Sequence, residues 1–268
     1  MNMMIFKGDY EMNINTISKK GEEQEKIAIL QQMIDNSKKI VFFGGAGVST
    51  DSGIPDFRSK DGLYNQSYKY PPEFMLSHTC FKRMPEEFFR FYNDKILNCV
   101  DCKPNYTHKF LAKLEEKGKL LSVITQNIDG LHEKSGTKNL RLLHGTIWKN
   151  YCTKCGKFFS VHEVKGKDIP RCDKCNGIIK PDVVLYEESL DGDVLQQAAN
   201  DISRCDMLIV GGTSLTVYPA AAFIDFYNGK NLVVINRDPT AKDDSAALVI
   251  HGSLSEVFRK INIGCDIE

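Results

Sequence analysis

Short apolar runs alternate with amphipathic segments along most of the chain. Apolar side chains recur at helical spacing over residues 22–36, which predicts a helix, whereas residues 1–20 are expected to form a loose extension. Four apolar runs predict buried strands at 40–43, 120–124, 207–210 and 232–235. Helix-like segments follow at 105–118, 191–204 and 219–228. Strands that alternate with helices predict an α/β protein whose parallel sheet is covered on both faces.

Two stretches interrupt this alternation. Residues 60–103 contain prolines, aromatic residues and helix-like pieces, and residues 146–180 contain paired cysteines and short polar turns. Neither stretch continues the alternating pattern of the sheet. We therefore expect them to form a smaller lobe beside it.

The composition is that of an ordinary globular protein. Of the 268 residues, 42% are hydrophobic and 26% are charged, and 35 basic side chains balance 35 acidic ones. A net charge of zero counts against a dedicated nucleic-acid binder, such as a zinc-ribbon module. No apolar run approaches the length of a membrane span, and charged residues interrupt the N-terminal segment. We expect a cytoplasmic protein with no membrane partner.

Four of the nine cysteines form two C-x-x-C pairs, Cys152 with Cys155 and Cys172 with Cys175. Two such pairs can close a tetrahedral shell of four thiolates around Zn²⁺, which leaves no position for water or substrate. A metal held in this way is structural. Redox-active C-x-x-C motifs are the alternative, but a redox pair does not need a second pair at this spacing.

The first predicted strand ends in a glycine-rich turn at residues 44–47. Glycines permit a tight turn and let backbone N–H groups approach a pyrophosphate. The dinucleotide-binding pattern is incomplete, because Thr50 stands where G-x-G-x-x-G requires a third glycine. A tight turn without a ligand therefore remains an alternative. Just beyond it, Phe57 is suited to cover a sugar or a ring, and Arg58 to clamp a diphosphate.

From Gly45 to Arg58 the chain resembles the sirtuin family of NAD-dependent protein deacylases, nearly residue for residue. The resemblance continues through the paired cysteines and through short blocks in the order of the family, at 125–132, 144–145, 180–184, 212–215 and 235–236. It covers about residues 38–260. Only the first 20 or so residues fall outside it.

The resemblance implies an α/β fold with a Rossmann-type parallel sheet and a smaller inserted lobe. It also implies two bound groups, NAD as co-substrate and one structural Zn²⁺. The predicted domain division is an N-terminal extension with a lead-in helix over 1–35 and a catalytic domain over 36–268. Within the latter, the NAD domain comprises 36–58, 104–145 and 181–268, and the small lobe comprises a helical part, 59–103, and a zinc ribbon, 146–180.

By the same resemblance, His144 is the general base and Asn127 takes part in catalysis. A histidine suits the role because neutral imidazole accepts a proton at working pH. An amide and a carboxylate, as at Asn127 and Asp129, can satisfy the carboxamide of nicotinamide, although either residue could instead cap a loop. The residues expected to contact NAD are Gly45, Ala46, Gly47, Thr50, Phe57, Arg58, Gln126, Asn127, Ile128, Asp129, Gly212, Thr213, Ser214, Asn236 and Asp238.

The acyl-lysine peptide is expected to bind as an added strand beside two segments. One segment contains Val184, Leu185 and Tyr186, and the other contains Val217. Most sirtuins have Gly-Glu after the aromatic residue, whereas Glu187 and Glu188 follow it here. A side chain in place of glycine leaves the preference for flanking residues open.

The helical insertion bears on the acyl group. Relatives that remove succinyl groups resemble this stretch but carry Arg three residues after a Tyr, whereas Tyr92 is followed here by Lys95. Lysine lacks the planar two-pronged donor that clamps a carboxylate, and Asp94 competes for its charge. We therefore expect acetyl groups to be removed well and succinyl or malonyl groups poorly.

The predicted function is NAD-dependent removal of acyl groups from protein lysine side chains, with release of nicotinamide and O-acyl-ADP-ribose. Mono-ADP-ribosyl transfer is the first alternative, which the presence of His144 disfavours. A nicotinamide-dependent dehydrogenase is the second, and the missing third glycine and the two insertions count against it. The expected partners are acyl-lysine proteins or peptides, and the protein is expected to be a monomer.

Overall fold

The computed structural model describes residues 7–56, 70–216 and 219–267. Its main sheet contains six parallel strands. Numbered along the chain, they are β1 (Ile40–Gly44), β2 (Leu120–Thr125), β3 (Leu140–Leu142), β7 (Met207–Gly211), β8 (Leu232–Asn236) and β9 (Leu248–His251). Their spatial order is β3-β2-β1-β7-β8-β9. The direction in which strands are added reverses between β1 and β7, and open α/β sheets bind ligands at such a point.

Side chains from the two faces of the sheet enter two separate cores. On β1, Phe42 packs with the helices α1 (Lys7–Asn36), α5 (Tyr106–Glu116) and α9 (Leu254–Arg259). Phe43 points to the opposite face, where α8 (Gly192–Arg204) and the 3₁₀ helix Ala220–Phe226 cover the sheet. Strands β1 and β7 are buried along their whole length, as expected for central strands of a sheet that is covered on both sides.

The four strands predicted from the apolar runs are all present, each with one further residue at its carboxyl end. Three elements differ from the expectation. The expected loose extension is wrong for residues 7–20, which belong to α1; this stretch contains no proline that would end the helix. Of the helix expected over 219–228, only Ala220–Phe226 is helical, and it is a 3₁₀ helix that begins after Pro219. Strand β9 was not predicted, because two of the five residues in its apolar run, 246–250, are alanines, which are uncommon in strands.

The three-stranded antiparallel sheet carries the paired cysteines. It consists of β4 (Gly145–Cys152), β5 (Phe158–Ser160) and β6 (Ile179–Val183), with β4 in the centre. Two short helices, α6 (Leu131–Lys134) and α7 (Val161–Val164), lie before and after β4 in the chain. The sheet therefore uses residues on both sides of 146–180, and the domain boundaries themselves stay a prediction.

The helical insertion forms an aromatic core. It contains α2 (Pro72–Met75), α3 (His78–Arg83), α4 (Pro85–Phe91), a π-helical turn over Tyr92–Ile96 and a 3₁₀ turn over Leu97–Asp101. Phe88 stacks on Tyr92 with the ring centroids 5.5 Å apart and meets Phe81 edge-on at 5.3 Å. Val183 and Leu185 pack into the same cluster, which joins the insertion to the end of β6.

The helices also bear on the expected absence of a membrane partner. Across the ranges that the structure describes, none is both long and apolar enough to cross a bilayer.

Candidate active site

A cavity of about 850 Å³ lies at the carboxyl ends of the parallel strands. Gly47, Asn127 and Gly212, which follow β1, β2 and β7, line it from the main sheet. Tyr92 lines it from the helical insertion, and Leu185 lines it from the segment after β6. The volume falls within the range of small-molecule sites, about 300 to 1,000 Å³, and the position agrees with the reversal of strand order between β1 and β7.

The cavity brings together most of the residues that the sequence singled out. Those on its wall are Ala46, Gly47, Thr50, Gln126, Asn127, Ile128, Asp129, His144, Val184, Leu185, Tyr186, Gly212, Thr213, Ser214, Asn236 and Asp238. Gly45 lies behind this wall, packed against Thr213. Phe57, Arg58 and Val217 lie outside the described residues.

The glycine turn after β1 packs backbone against backbone with the end of β7. The N–H of Gly47 donates to the carbonyl of Gly212 at 2.8 Å. A Cβ on Gly47 would lie 2.7 Å from the Cα of Gly212, closer than real Cβ contacts allow. The glycines are therefore required for this close approach, which forms one wall of the cavity.

A buried hydroxyl connects the two side chains assigned to nicotinamide. Ser49, which is 1% exposed, donates from Oγ to Oδ2 of Asp129 at 2.7 Å and accepts from Nδ2 of Asn127 at 3.1 Å. The other oxygen of Asp129 accepts from the N–H of Leu131 at 2.9 Å. Burial raises the pKa of the Asp129 carboxyl, and the hydrogen bonds from Leu131 and Ser49 oppose that rise. Ser49 was missed as a site residue, although it lies inside the glycine block of the sequence.

His144 is held between the end of β3 and the start of β4. Its Nδ1 lies 2.9 Å from the carbonyl oxygen of Gln126 and therefore carries the proton. Burial lowers the pKa of His144, so the imidazole is neutral at working pH and Nε2 can accept a proton. The side-chain Nε2 of Gln126 is buried, and no hydrogen-bond partner for it is found among the described residues.

The loops that follow β8 and β9 form the far end of the cavity. The side chain of Asn236 donates to the carbonyl of Asp238 at 2.7 Å, which fixes the loop after β8. Asp51 joins this loop to the next through Arg237, at 3.2 Å, and through the hydroxyl of Ser253, at 2.8 Å. Residues 252–254 also line the cavity and were missed, because the strand that precedes them was not predicted.

The four paired cysteines converge as a metal site requires. Their Sγ atoms all lie within 4.8 Å of one another. Cys152 and Cys175 are 3.3 Å apart, and Cys155 and Cys172 are 3.7 Å apart. Tetrahedral Zn²⁺ with Zn–S bonds of about 2.3 Å places its sulfurs about 3.8 Å apart, so the cluster fits zinc. None of the four lines the cavity described above, as expected of a structural metal.

The fold and the cavity define a nucleotide-binding α/β enzyme with a structural zinc site. Residues 45–219 match the model of the Sir2 family. A protein named NAD-dependent protein deacetylase from Clostridium acetobutylicum is 53% identical over 241 residues, which cover 88% of this chain and 98% of the relative. A protein of the same name from Staphylococcus aureus is 44% identical over 234 residues, covering 87% and 96%. The chain belongs to the Sir2 family, the sirtuins.

Solved structures give the same result. A Sir2 protein bound to an acetylated peptide matches with a TM-score of 0.78 and 38% identity, over 87% of this chain and 96% of the other. A Sir2 structure with a deacetylated peptide and 3′-O-acetyl ADP-ribose matches with a TM-score of 0.80 and 39% identity, over the same shares. The prediction of an α/β fold with an inserted smaller lobe is confirmed.

Proposed function

We propose a division of roles for the NAD-dependent deacetylation of protein lysines that this chain carries out. The observation that carries it is that a neutral histidine and a buried amide–hydroxyl–carboxylate network line the same cavity. NAD, as co-substrate, supplies the ribose carbon that the acyl oxygen attacks and the ribose hydroxyl to which the acyl group moves. One water molecule is consumed, and the products are nicotinamide, O-acyl-ADP-ribose and the free lysine.

The nicotinamide end is assigned to Asn127, Ile128 and Asp129. Ser49 holds the amide and the carboxylate in one arrangement, so a carboxamide meets a fixed donor and a fixed acceptor. The buried amide nitrogen of Gln126 is suited to donate to a ribose hydroxyl, which would relieve its lack of a partner. The phosphates and the adenosine of NAD are assigned to the glycine turn and to the loops at 212–214 and 236–238.

His144 is proposed as the general base. Its Nδ1–H is committed to the carbonyl of Gln126, and this bond sets both the tautomer and the orientation of the ring. Nε2 is therefore the nitrogen that takes the proton of a ribose hydroxyl. A lowered pKa keeps this nitrogen unprotonated at neutral pH.

The peptide is proposed to pair with the segment 184–187 on one edge. The other edge of this segment is occupied, because the N–H of Tyr186 donates to Leu76 at 3.1 Å and its carbonyl accepts from His78 at 3.0 Å. Strand addition needs unpaired backbone groups. Among the described residues, neither the N–H nor the C=O of Glu187 takes part in a backbone hydrogen bond, so both are open to a peptide.

Acetyl is the proposed acyl group. Lys95 lines the cavity, but its ammonium lies 3.0 Å from a carboxylate oxygen of Asp94. Tyr92 is 2% exposed, and no hydrogen-bond partner for its hydroxyl is found among the described residues. A neutral hydroxyl and a shared ammonium do not offset the cost of burying the carboxylate of a succinyl group. The activity is further proposed to belong to a cytoplasmic monomer without a nucleic-acid partner.

Mass spectrometry of a reaction with NAD and matched acetyl-lysine and succinyl-lysine peptides tests these roles. We expect the peptide to lose its acetyl group, with equal amounts of nicotinamide and O-acetyl-ADP-ribose formed. An added ADP-ribose on the peptide would indicate the transferase instead, and absorbance of reduced cofactor would indicate a dehydrogenase. A kcat/KM for the succinyl peptide equal to or above that for the acetyl peptide would contradict the reasoning from Asp94 and Lys95.

A further inference from the structure

Residue 187 has a backbone conformation that favours glycine. Its φ is +74°, in the left-handed region, yet the residue is glutamate. A side chain in this region costs about 1 to 2 kcal/mol, and glycine avoids the cost. Something else must therefore hold Glu187 in place.

The side chain of Glu187 is fastened to the helical insertion. Its Oε2 accepts two hydrogen bonds from Thr79, one from the backbone N–H at 2.9 Å and one from the hydroxyl at 2.7 Å. These bonds lower the pKa of the Glu187 carboxyl, so it is ionised at neutral pH. The carboxylate points to Thr79 in the first turn of α3, so its charge already has two donors.

The backbone beside Glu187 is tied to the same stretch of chain. Ser77 and Tyr186 form a parallel bridge, with hydrogen bonds on both sides of it. Glu188 closes the turn, because its carboxylate accepts from the N–H of Leu185 at 3.0 Å and pairs with Lys180 at 3.0 Å. Residue 187 is thus the left-handed point in a segment that is otherwise fixed by hydrogen bonds.

We propose that Glu187 is a positioning residue for the acyl-lysine peptide: its bonds to Thr79 hold the backbone in the conformation that glycine would adopt unaided. The inference rests on the proposed pairing of the peptide with residues 184–187. The side chain acts through the backbone of its own residue and does not touch the reacting atoms. Peptide affinity then depends on the fraction of molecules in which this conformation is kept.

Three substitutions of Glu187 distinguish the effect of its hydrogen bonds to Thr79 from an effect of its negative charge. Glu187→Ala keeps the unfavourable φ and loses both hydrogen bonds, so KM for the peptide should rise roughly fivefold to thirtyfold. Glu187→Gly also loses the bonds but removes the strain, and Glu187→Gln keeps an acceptor for Thr79 without the charge. For both variants, the KM for the peptide should stay within about threefold of that of the unmodified protein. Glycine adopts the left-handed φ without the hydrogen bonds, and glutamine keeps an acceptor for them.

The readouts are KM for an acetyl-lysine peptide, kcat and KM for NAD, with Glu116→Ala, an exposed glutamate on α5, as control. We expect only the peptide KM of Glu187→Ala to change. Equal KM values for the Ala variant and the unmodified protein, or equal increases for Ala and Gly, would overturn the proposal. A rise in the peptide KM of Glu187→Gln as large as that of Glu187→Ala would also overturn the proposal, because it would show that the charge acts directly.

Peptide binding followed by fluorescence anisotropy repeats the test without turnover. If the unmodified protein bound a labelled acetyl-lysine peptide but released no nicotinamide, the proposed function would fail while the comparison at residue 187 still stood. If all variants bound the peptide alike, the positioning role of Glu187 would be refuted and the proposed function would stand. The two failures are therefore distinguishable.

Discussion

The hydroxyl of Ser49 offers a sharp test of the buried network, because one atom serves two partners. Ser49→Ala removes the donor to Asp129 at 2.7 Å and the acceptor of Asn127 at 3.1 Å. The carboxylate then keeps only the N–H of Leu131 among its hydrogen-bond donors from the described residues. Both side chains remain, but neither is held where a carboxamide would meet it.

The size of the effect follows from the charge of the acceptor. Losing a hydrogen bond to an ionised group costs about 1.5 to 3 kcal/mol, which corresponds to roughly tenfold to a hundredfold in kcat/KM for NAD. Since the bond from Ser49 lowers the pKa of Asp129, its loss should raise that pKa further. Activity should therefore need a higher pH in the variant than in the unmodified protein.

The assay is deacetylation of one peptide at varied NAD and varied added nicotinamide. Ser52→Ala is the matched control, because it makes the same change in the same loop, where the hydroxyl is buried, has no partner among the described residues and does not line the cavity. We expect the control to stay within about twofold. If Ser49→Ala kept its rate and its inhibition by nicotinamide within threefold, or if Ser52→Ala lost as much, the network would have no role in binding.

Three further outcomes are expected. His144→Ala should lower the deacetylation rate about 10² to 10⁴-fold while NAD binding, measured by calorimetry, is retained; a rate within threefold would contradict the base assignment. Cys172→Ser should lose zinc by elemental analysis and misfold, and a folded, zinc-loaded variant would refute a closed structural site. Burial lowers the pKa of His108 to about 2 and that of His132 to about 4, so below about pH 6.5 the unfolded chain binds protons that the fold does not. The free energy of unfolding should then fall by up to about 1.4 kcal/mol per pH unit for each histidine as the pH drops towards 4. Urea denaturation of His132→Gln at several pH values should give a shallower dependence of this free energy on pH. An unchanged dependence would show that His132 does not contribute to it.

The strands of the sheet could be predicted because each central strand is a continuous apolar run. A strand buried on both faces needs no polar positions, and β1 and β7 are buried throughout. The edge strand β9 gave a weaker signal, because its apolar run begins with two alanines and the strand ends in exposed His251. Residues 252–254, which follow it, were missed for the same reason. Edge elements depend on the sheet they join, and that context is absent from a local sequence pattern.

The site residues with a distinct chemistry could also be predicted, whereas those that only hold others in place could not. His144 and the four cysteines are residue types that carry proton transfer and metal binding. Ser49 has an ordinary side chain, and its importance comes from lying between Asn127 and Asp129, which are far from it in the sequence. Only the fold shows that one hydroxyl reaches both.

Two positions with backbone that suits glycine differ in the kind of requirement they place on the residue. At Gly47 the requirement is steric, because a Cβ would lie 2.7 Å from the backbone of Gly212, and no hydrogen bond can remove that overlap. At Glu187 the requirement is conformational, because the cost of a left-handed φ is about 1 to 2 kcal/mol. Two hydrogen bonds from Thr79 are of a size to offset such a cost. A conformational requirement can thus be met by a side chain that finds partners nearby, whereas a steric requirement such as that at Gly47 cannot.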